Sequence, residues 1–392
     1  MKAKSKLVIH PDLAGAPRAL KWVKKPFHKV VYDFLRARLF KFFRSIPFFR
    51  KLLLLANDRV NFFDESCCIY QEFSDGPVVD RTERAVFNIA QRKVVTPEGY
   101  CCFGMFLDNP LLVGHGLVPM SAEGHLAKEA LTVNSYYDMA KTTNEIRPLK
   151  CRRPIFLEGK YASLASHWTY WKNFYHWLMD VVPRLRFIET DRKLLVASPL
   201  TPYERDFLEL VGIIDRCVFV NGDYLKVENF QFISPIGYAE SYVPENIDYV
   251  RDLVLENVSK RECNYPKKIY VTRRGESRSP KNEVEFEGIL IDNEWSIVNL
   301  RDYSFEEQVK MFKNATHVAG VHGAGLANLL WARSTCKVVE IFPSNRLVPT
   351  NENIALHLGL DYLALVCKAT QRREWNIDVD FVSNKMNNMK ML

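Results

Sequence analysis

No run of 18 apolar residues interrupts the 392-residue chain, and its start shows no apolar stretch ending in a small-residue cleavage site. Neither a membrane-spanning helix nor export by a signal peptide is therefore expected. C-x-x-C pairs and zinc-finger His spacings are missing as well. The nine cysteines are scattered and odd in number, with vicinal pairs at Cys67-Cys68 and Cys101-Cys102. That usage suits buried thiols in a reducing, cytoplasmic setting better than a disulfide framework or a structural metal. A Walker loop, a G-x-G-x-x-G fingerprint and internal repeats are all lacking. Acids are almost lacking from residues 1–55, where 14 Lys or Arg face only Asp12 and Asp33. That stretch carries +12 of the net +8, so the remainder is −4. Beyond it no basic stripe with interleaved aromatics runs through the chain, and a nucleic-acid partner is not expected.

What is present is a large apolar inventory: 47% hydrophobic residues, with 25 Phe, 17 Tyr and 7 Trp. This is enough to offset the entropy of ordering the chain, and the length suits two domains with a cleft between them. Residues 1–57 read as a basic, amphipathic, helical extension. Within 30–43, Val31, Phe34, Leu35, Phe42 and Phe43 can share a face while Arg36, Arg38, Lys41 and Arg44 keep the rest charged. The pattern fits either a helix lying on anionic lipid or a basic helix packed on the domain. On the first reading the protein sits peripherally on the inner face of a membrane through residues 1–55.

Residues 58–243 form the first expected domain. Up to about residue 150 short apolar runs alternate with Gly, Pro and Asp breakers, reading as strands and loops. Strand KLLVAS, a helix opened by Thr201 and Pro202, and strand RCVFVN follow. Residues 244–368 form the second expected domain, in which strands KIYVTR, WSIVNL, HVAGVH and KVVEIFP are separated by single helices. Such alternation means a parallel, doubly wound sheet, whose ligands sit outside the carboxyl ends of the strands. Residues 369–392 read as a tail that frays after Ser383.

The sharpest local signal is GVHGAGLANLLWA, a buried strand, a tight turn at His322, Gly323, Ala324 and Gly325, and a helix holding Asn328. Small residues let backbone approach a ligand, and a helix N-terminus favours an anion such as a diphosphate. The alternative is a packing turn with His322 satisfied in the core. Upstream, Arg273, Arg274 and Arg278 follow strand KIYVTR and could pair with phosphate oxygens. Downstream, Glu340 lies inside an apolar strand, where a carboxylate needs a partner such as a ribose hydroxyl pair or an Arg. Ser304 with Glu307 forms a capping box, so ligand contact there competes with simple capping.

In NFYHWLMD, Asn173, His176 and Asp180 recur at helical spacing, which puts them on one face. A His and a carboxylate one turn apart can accept or relay a proton, and nearby aromatics suit sugar rings. Asp180 or His176 could serve as the base.

These blocks, NFYHWLMDVVPRL, then YVTRRGESR with Asn282 and Glu283, then YSFEEQVKMFKNATHVAGVHGAGLANLLWA, then VVEIFP, together resemble glycosyltransferase family 61. The resemblance spans about residues 158–343. It implies an α/β, GT-B-like fold of two Rossmann-like domains facing a cleft, and inverting transfer from a nucleotide-sugar donor to a glycan, lipid-linked or other hydroxyl acceptor in polysaccharide or glycoconjugate synthesis. The later blocks would hold the nucleotide, without metal or other cofactor, and the earlier block would face the acceptor. Asn173, Arg273, Arg274, Arg278, Ser304, His322, Gly323, Ala324, Gly325, Asn328 and Glu340 become donor-site candidates, with Asp180 and His176 catalytic. Two departures, Thr272 in place of a common Ser and no Gly within 333–336, remove no charged contact. Asp378-Val-Asp380 imitates a metal-binding D-x-D but follows no expected strand and lies outside the matching blocks. Two other readings remain: an inactive nucleotide-sugar-binding module, or an epimerase or hydrolase, which would need a second carboxylate from Glu158 or Glu340.

Overall fold

The computed structural model describes residues 5–9, 70–72, 103–120, 153–166, 172–222, 224–233, 244–260, 264–371 and 374–392. Strand β1 (Ser5–Ile9) joins a sheet built much later in the chain. Strands β2 (Tyr70–Glu72), β3 (Phe103–Asp108), β4 (Leu111–Val113) and β5 (Val118–Met120) then form antiparallel pairs, with β4 and β5 closing a hairpin. From β6 (Ile155–Ser163) the chain passes through helical turn α1 (Phe174–His176), β7 (Lys193–Ala197), α2 (Pro202–Leu210) and β8 (Cys217–Val220) to β9 (Leu225–Ile233). Strands β9, β6, β7 and β8 are parallel neighbours, and β3 and β4 add to β9 antiparallel. The first sheet is thus mixed, which departs from a Rossmann-like expectation. The reason is local: the short runs of 103–120 are joined by tight turns, and a hairpin can only add antiparallel strands.

The second half alternates helix and strand: α3 (Pro244–Asn257), β10 (Lys268–Val271), α4 (Glu283–Asp292), β11 (Ser296–Val298), α5 (Phe305–Asn314), β12 (His317–Val321), a 3₁₀ helix (Ala324–Trp331), β13 (Lys337–Pro343), α6 (Thr350–Leu358) and β14 (Asp361–Cys367). All the pairings are parallel, in the order β11-β10-β12-β13-β14, with β1 outside β14. Setting β1 aside, this is the 2-1-3-4-5 order of doubly wound sheets, whose chain direction switches between β10 and β12. The strands read as continuous β-branched runs because both faces are covered. One face buries Tyr270, Ala319 and Val339 against Phe286 and Leu290 of α4; the other buries Ile269, Val318 and Val338 against Val309 and Phe312 of α5.

That second cluster does not stop at the sheet. It continues through Trp177, Phe207 and Phe305 to Ala162, Leu194 and Val196 of the first sheet, so the two sheets share one apolar core. Turn α1 packs directly on the 3₁₀ helix of residues 324–331, and α2 on α5. Edge-to-face contacts of Phe305 with Phe207, Phe174 and Trp331 mark this seam.

Of the expected extension, Ser5–Ile9 forms a sixth strand, while the 30–43 face lies outside the described residues. The supposed fraying tail is structured: β15 (Ala369–Gln371) pairs with β16 (Glu374–Trp375), and α7 (Val379–Asn388) buries Val382 and Met386 completely. Trp295 Nε1 donates to Met391 O at 3.1 Å. Few apolar residues lie in the tail, but they fall on one face and fill the layer beside α4. Asp378, the first acid of the D-x-D imitation, caps α7, its carboxylate accepting from Phe381 N at 2.9 Å. Among the described residues no helix is long and apolar enough to cross a membrane, and no three His, Cys, Asp or Glu side chains cluster as metal ligands.

Candidate active site

The switch point of the second sheet is occupied by Arg273. Its backbone leaves β10, and its guanidinium reaches across to β12, Nη1 donating to His322 O and Nη2 to Ser277 O, each at 2.9 Å. Gly323 makes this possible: a Cβ there would stand 1.8 Å from Nη1. The glycine expected to admit a ligand instead admits an arginine, whose charge is thereby laid on the turn. Burial, the largest influence, lowers the Arg273 pKa, opposed by Glu276 and Glu283; its Nε is buried without a partner. Gly325 serves packing, since a Cβ would meet Leu300 at 2.8 Å. Ala324 opens the 3₁₀ helix that runs to Trp331, with Leu326 N donating to Gly323 O.

The loop after β10 is shaped from below. Glu283, in the first turn of α4, accepts from Arg273 N, Tyr270 Oη and Ser279 Oγ at 2.7 to 3.0 Å. An anion suits that helix end. Glu287, one turn on, accepts from Thr272 Oγ1 at 2.5 Å and pairs with Arg274 at 3.2 Å, which ties Arg274 to α4. Burial raises the Glu287 carboxyl above its ordinary value, and the Thr272 bond and Arg274 oppose this. Arg278 has φ of 79°, a left-handed backbone uncommon outside glycine. Trp375 Nε1 donates to its carbonyl at 3.0 Å, and Asn282 exchanges two hydrogen bonds with Ile377, so the C-terminal segment clamps this loop.

Glu340 is wholly buried and its oxygens are taken: His322 Nδ1 lies 2.7 Å from Oε1, Asn351 Nδ2 donates to the same oxygen at 2.7 Å, and Tyr362 Oη donates to Oε2 at 2.6 Å. The partner is neither a ribose nor an Arg; the carboxylate holds His322. That ring also stacks on Phe342 at 4.7 Å. Asn351 donates as well to Gly323 O at 3.3 Å, so one side chain joins α6, β13 and the turn.

The aromatic block is not one regular helix. Asn173 caps α1, accepting from His176 N at 3.3 Å. From Trp177 to Val181 the turns widen to a π-helix, closed by Val182 N donating to Trp177 O, and a 3₁₀ helix follows from Val182 to Phe187. Pro183 has no N–H to continue the α ladder, which accounts for the change of pitch. Even so, His176 Nδ1 and Asp180 Oδ2 meet at 2.5 Å, with Asp180 buried and His176 partly buried. A π segment of this kind often marks a functional site.

Other candidates turn out to hold structure together. Ser304 makes the full capping box with Glu307. Asn328 is completely buried, donating to Gln308 and Gly325 and accepting from Trp331 Nε1. Glu158 lies exposed on β6 and Glu340 is enclosed, so neither is placed as a second carboxylate. Sequence reading missed Asn351, Tyr362 and Trp375, which act over 11 to 97 positions; the only sequence signal was Glu340 itself, a buried carboxylate demanding donors.

No curated protein matches the chain. Residues 174–339, which carry His176, Asp180, the three arginines and His322, match the family model described as Glycosyltransferase 61.

Proposed function

We propose that the protein is an inverting, metal-independent glycosyltransferase of GT-B-like arrangement, moving a hexosyl or pentosyl group from a nucleotide sugar to a glycan or lipid-linked hydroxyl. The observation that carries this reading is the Arg273 guanidinium seated on the Gly323 turn at the switch point of a doubly wound sheet, where an anionic ligand is expected. Arg273, Arg278 and His322 meet the donor's diphosphate and neutralise it as it leaves. Fixed donors at a leaving group are worth about 2.7–4 kcal/mol each in comparable sites.

His176 takes the acceptor proton, and Asp180 holds it. Asp180 is the more deeply buried and binds Nδ1, so it orients the ring while Nε2 exchanges the proton. The deprotonated oxygen attacks the anomeric carbon opposite the leaving group, the glycosidic bond to phosphate breaks, and nucleoside diphosphate departs. The packing of α1 on the 3₁₀ helix of residues 324–331 supports placing acceptor and donor chemistry in one site. The basic residues 1–55 would keep the enzyme on an anionic membrane surface near a lipid-linked acceptor.

The test pairs binding with turnover. His176→Ala is expected to abolish single-turnover transfer with nucleoside-diphosphate affinity unchanged, and Arg278→Ala to weaken that affinity about tenfold, as for a lost charge-assisted bond. A folded His176→Ala enzyme working at the wild-type rate would remove it as the base. Failure of every nucleotide sugar in a panel to raise the melting temperature would remove the function.

A further inference from the structure

Two histidines of the site are held alike, each by Nδ1 on a buried carboxylate. For His322 the consequence differs, because its expected ligand is an anion. Glu340 Oε1 lies 2.7 Å from His322 Nδ1, and the carboxylate accepts from Asn351 and Tyr362. The Tyr362 hydroxyl is raised well above the ordinary phenol value, by burial first and then by Glu340, so it remains a donor. An ionised carboxylate can only accept, so the hydrogen bond at 2.7 Å obliges His322 Nδ1 to carry the hydrogen. Neutral His322 then has a lone pair at Nε2, which repels phosphate oxygen.

Resting on the donor site proposed above, we propose that Glu340 is a positioning residue that acts through His322: it fixes the Nδ1–H form, so that binding of the donor's diphosphate takes up one proton at Nε2. The bond formed is N–H···O to phosphate, and the proton comes from solvent. The resulting imidazolium lies between two charges of opposite sign, Glu340 behind and diphosphate in front. Asn351 and Tyr362 keep Glu340 from rotating away, and neither lies within the residues that match the family.

The charged and titratable groups around this ring come from each neighbouring element. Strand β13 supplies Glu340, and β14 supplies Tyr362. Residue Arg273, following β10, binds the His322 carbonyl, with Glu276, Glu283 and Arg346 acting on its charge. From α6, Glu352 acts on Tyr362.

Calorimetry with uridine, guanosine, cytidine and thymidine diphosphates identifies the one that binds. That nucleotide is then titrated at pH 8 in buffers of different ionisation enthalpy, which reports protons taken up per site. The wild type is expected to take up close to one proton more than His322→Gln, and its affinity is expected to fall as pH rises. Glu340→Gln, of the same shape, should lose that uptake and bind about tenfold more weakly, the worth of a hydrogen bond to a charged group. Nitrogen NMR of ¹⁵N-His protein, with the His322 signal identified by its loss in His322→Gln, should show the Nδ1–H form in the free wild type. Equal uptake by wild type and His322→Gln, or an Nε2–H ring, overturns this inference alone. Unchanged nucleotide affinity in His322→Gln, or no binding nucleotide, overturns the donor site itself. The wild-type and His322→Gln measurements decide the matter even if Glu340→Gln does not fold.

Discussion

Replacing Gly323 by alanine tests whether Arg273 belongs to the turn. The added carbon would lie 1.8 Å from Nη1 and 3.1 Å from Cζ, far inside contact distance, so the guanidinium must leave. The backbone is no obstacle, since φ of −179° is extended and open to any residue. Leaving breaks the Nη1 bond to His322 O and strains the Nη2 bond to Ser277 O. A hydrogen bond from a charged donor is worth about 1.5–3 kcal/mol, so affinity for a nucleoside diphosphate should fall by a factor of about 10 to 150. The stronger test is a cycle of Gly323→Ala, Arg273→Ala and the double variant, followed by urea unfolding and nucleotide calorimetry. Any cost of alanine at a helix start appears in both backgrounds and cancels. A coupling energy of about 1.5–3 kcal/mol is expected, because with Arg273 gone the methyl group has nothing to displace. Additivity within about 0.5 kcal/mol would refute the contact as the reason for the glycine.

Deleting residues 379–392 removes Val382, Met386 and Met391, all fully buried. At about 1.5–3 kcal/mol each they contribute about 5–9 kcal/mol, much of a domain's stability. The shortened chain should fail to show a cooperative melt, and a normal melt would contradict the packed tail. His317 gives a pH test. Burial first, then Lys337 and Lys268 on the flanking strands, lower its pKa below the ordinary 6.5. As pH falls through that value the unfolded chain takes a proton that the folded chain does not, so stability is lost on acidification. Urea midpoints between pH 5 and 7 should fall less steeply in His317→Gln, and parallel curves would count against the assignment.

Where the sequence was explicit, local chemistry decides the structure. The β-branched runs KIYV, HVAGV and KVVEIFP are buried strands, and Ser304 with Glu307 caps α5 as their spacing implies. Thr201 with Glu204 makes the same box at α2. The His176–Asp180 pair was legible because four positions separate them, although Pro183 changes the pitch of the turns that carry them. What could not be read depends on distance along the chain. Glu340 announced a need for donors, but nothing local says that they are His322, Asn351 and Tyr362. Gly323 reads as room for a ligand until Arg273, fifty positions away, is seen to fill it. The mixed first sheet escaped notice because its order rests on pairings between distant segments, β3 and β4 joining β9 far along the chain. The left-handed backbone of Arg278 has no signature in its own side chain; Trp375 braces it from the far end of the chain.

The pairing of β1 with β14 sets an order of events during synthesis. Ser5 lies opposite Tyr362 and Ile9 opposite Val366, so the earliest of these residues to be made must wait for the latest. At about 5–20 residues per second that wait is roughly 20–70 s. Through this interval the strand has no sheet edge to join, and β14 cannot receive it until β13 is in place beside it. Parallel pairing across so long a loop is slow to close. Tyr362, which steadies Glu340, sits on the strand that this closure covers. The buried corner around Glu340 would therefore be among the last parts of this fold to mature, and the proposed diphosphate site would form only once β14 has been made.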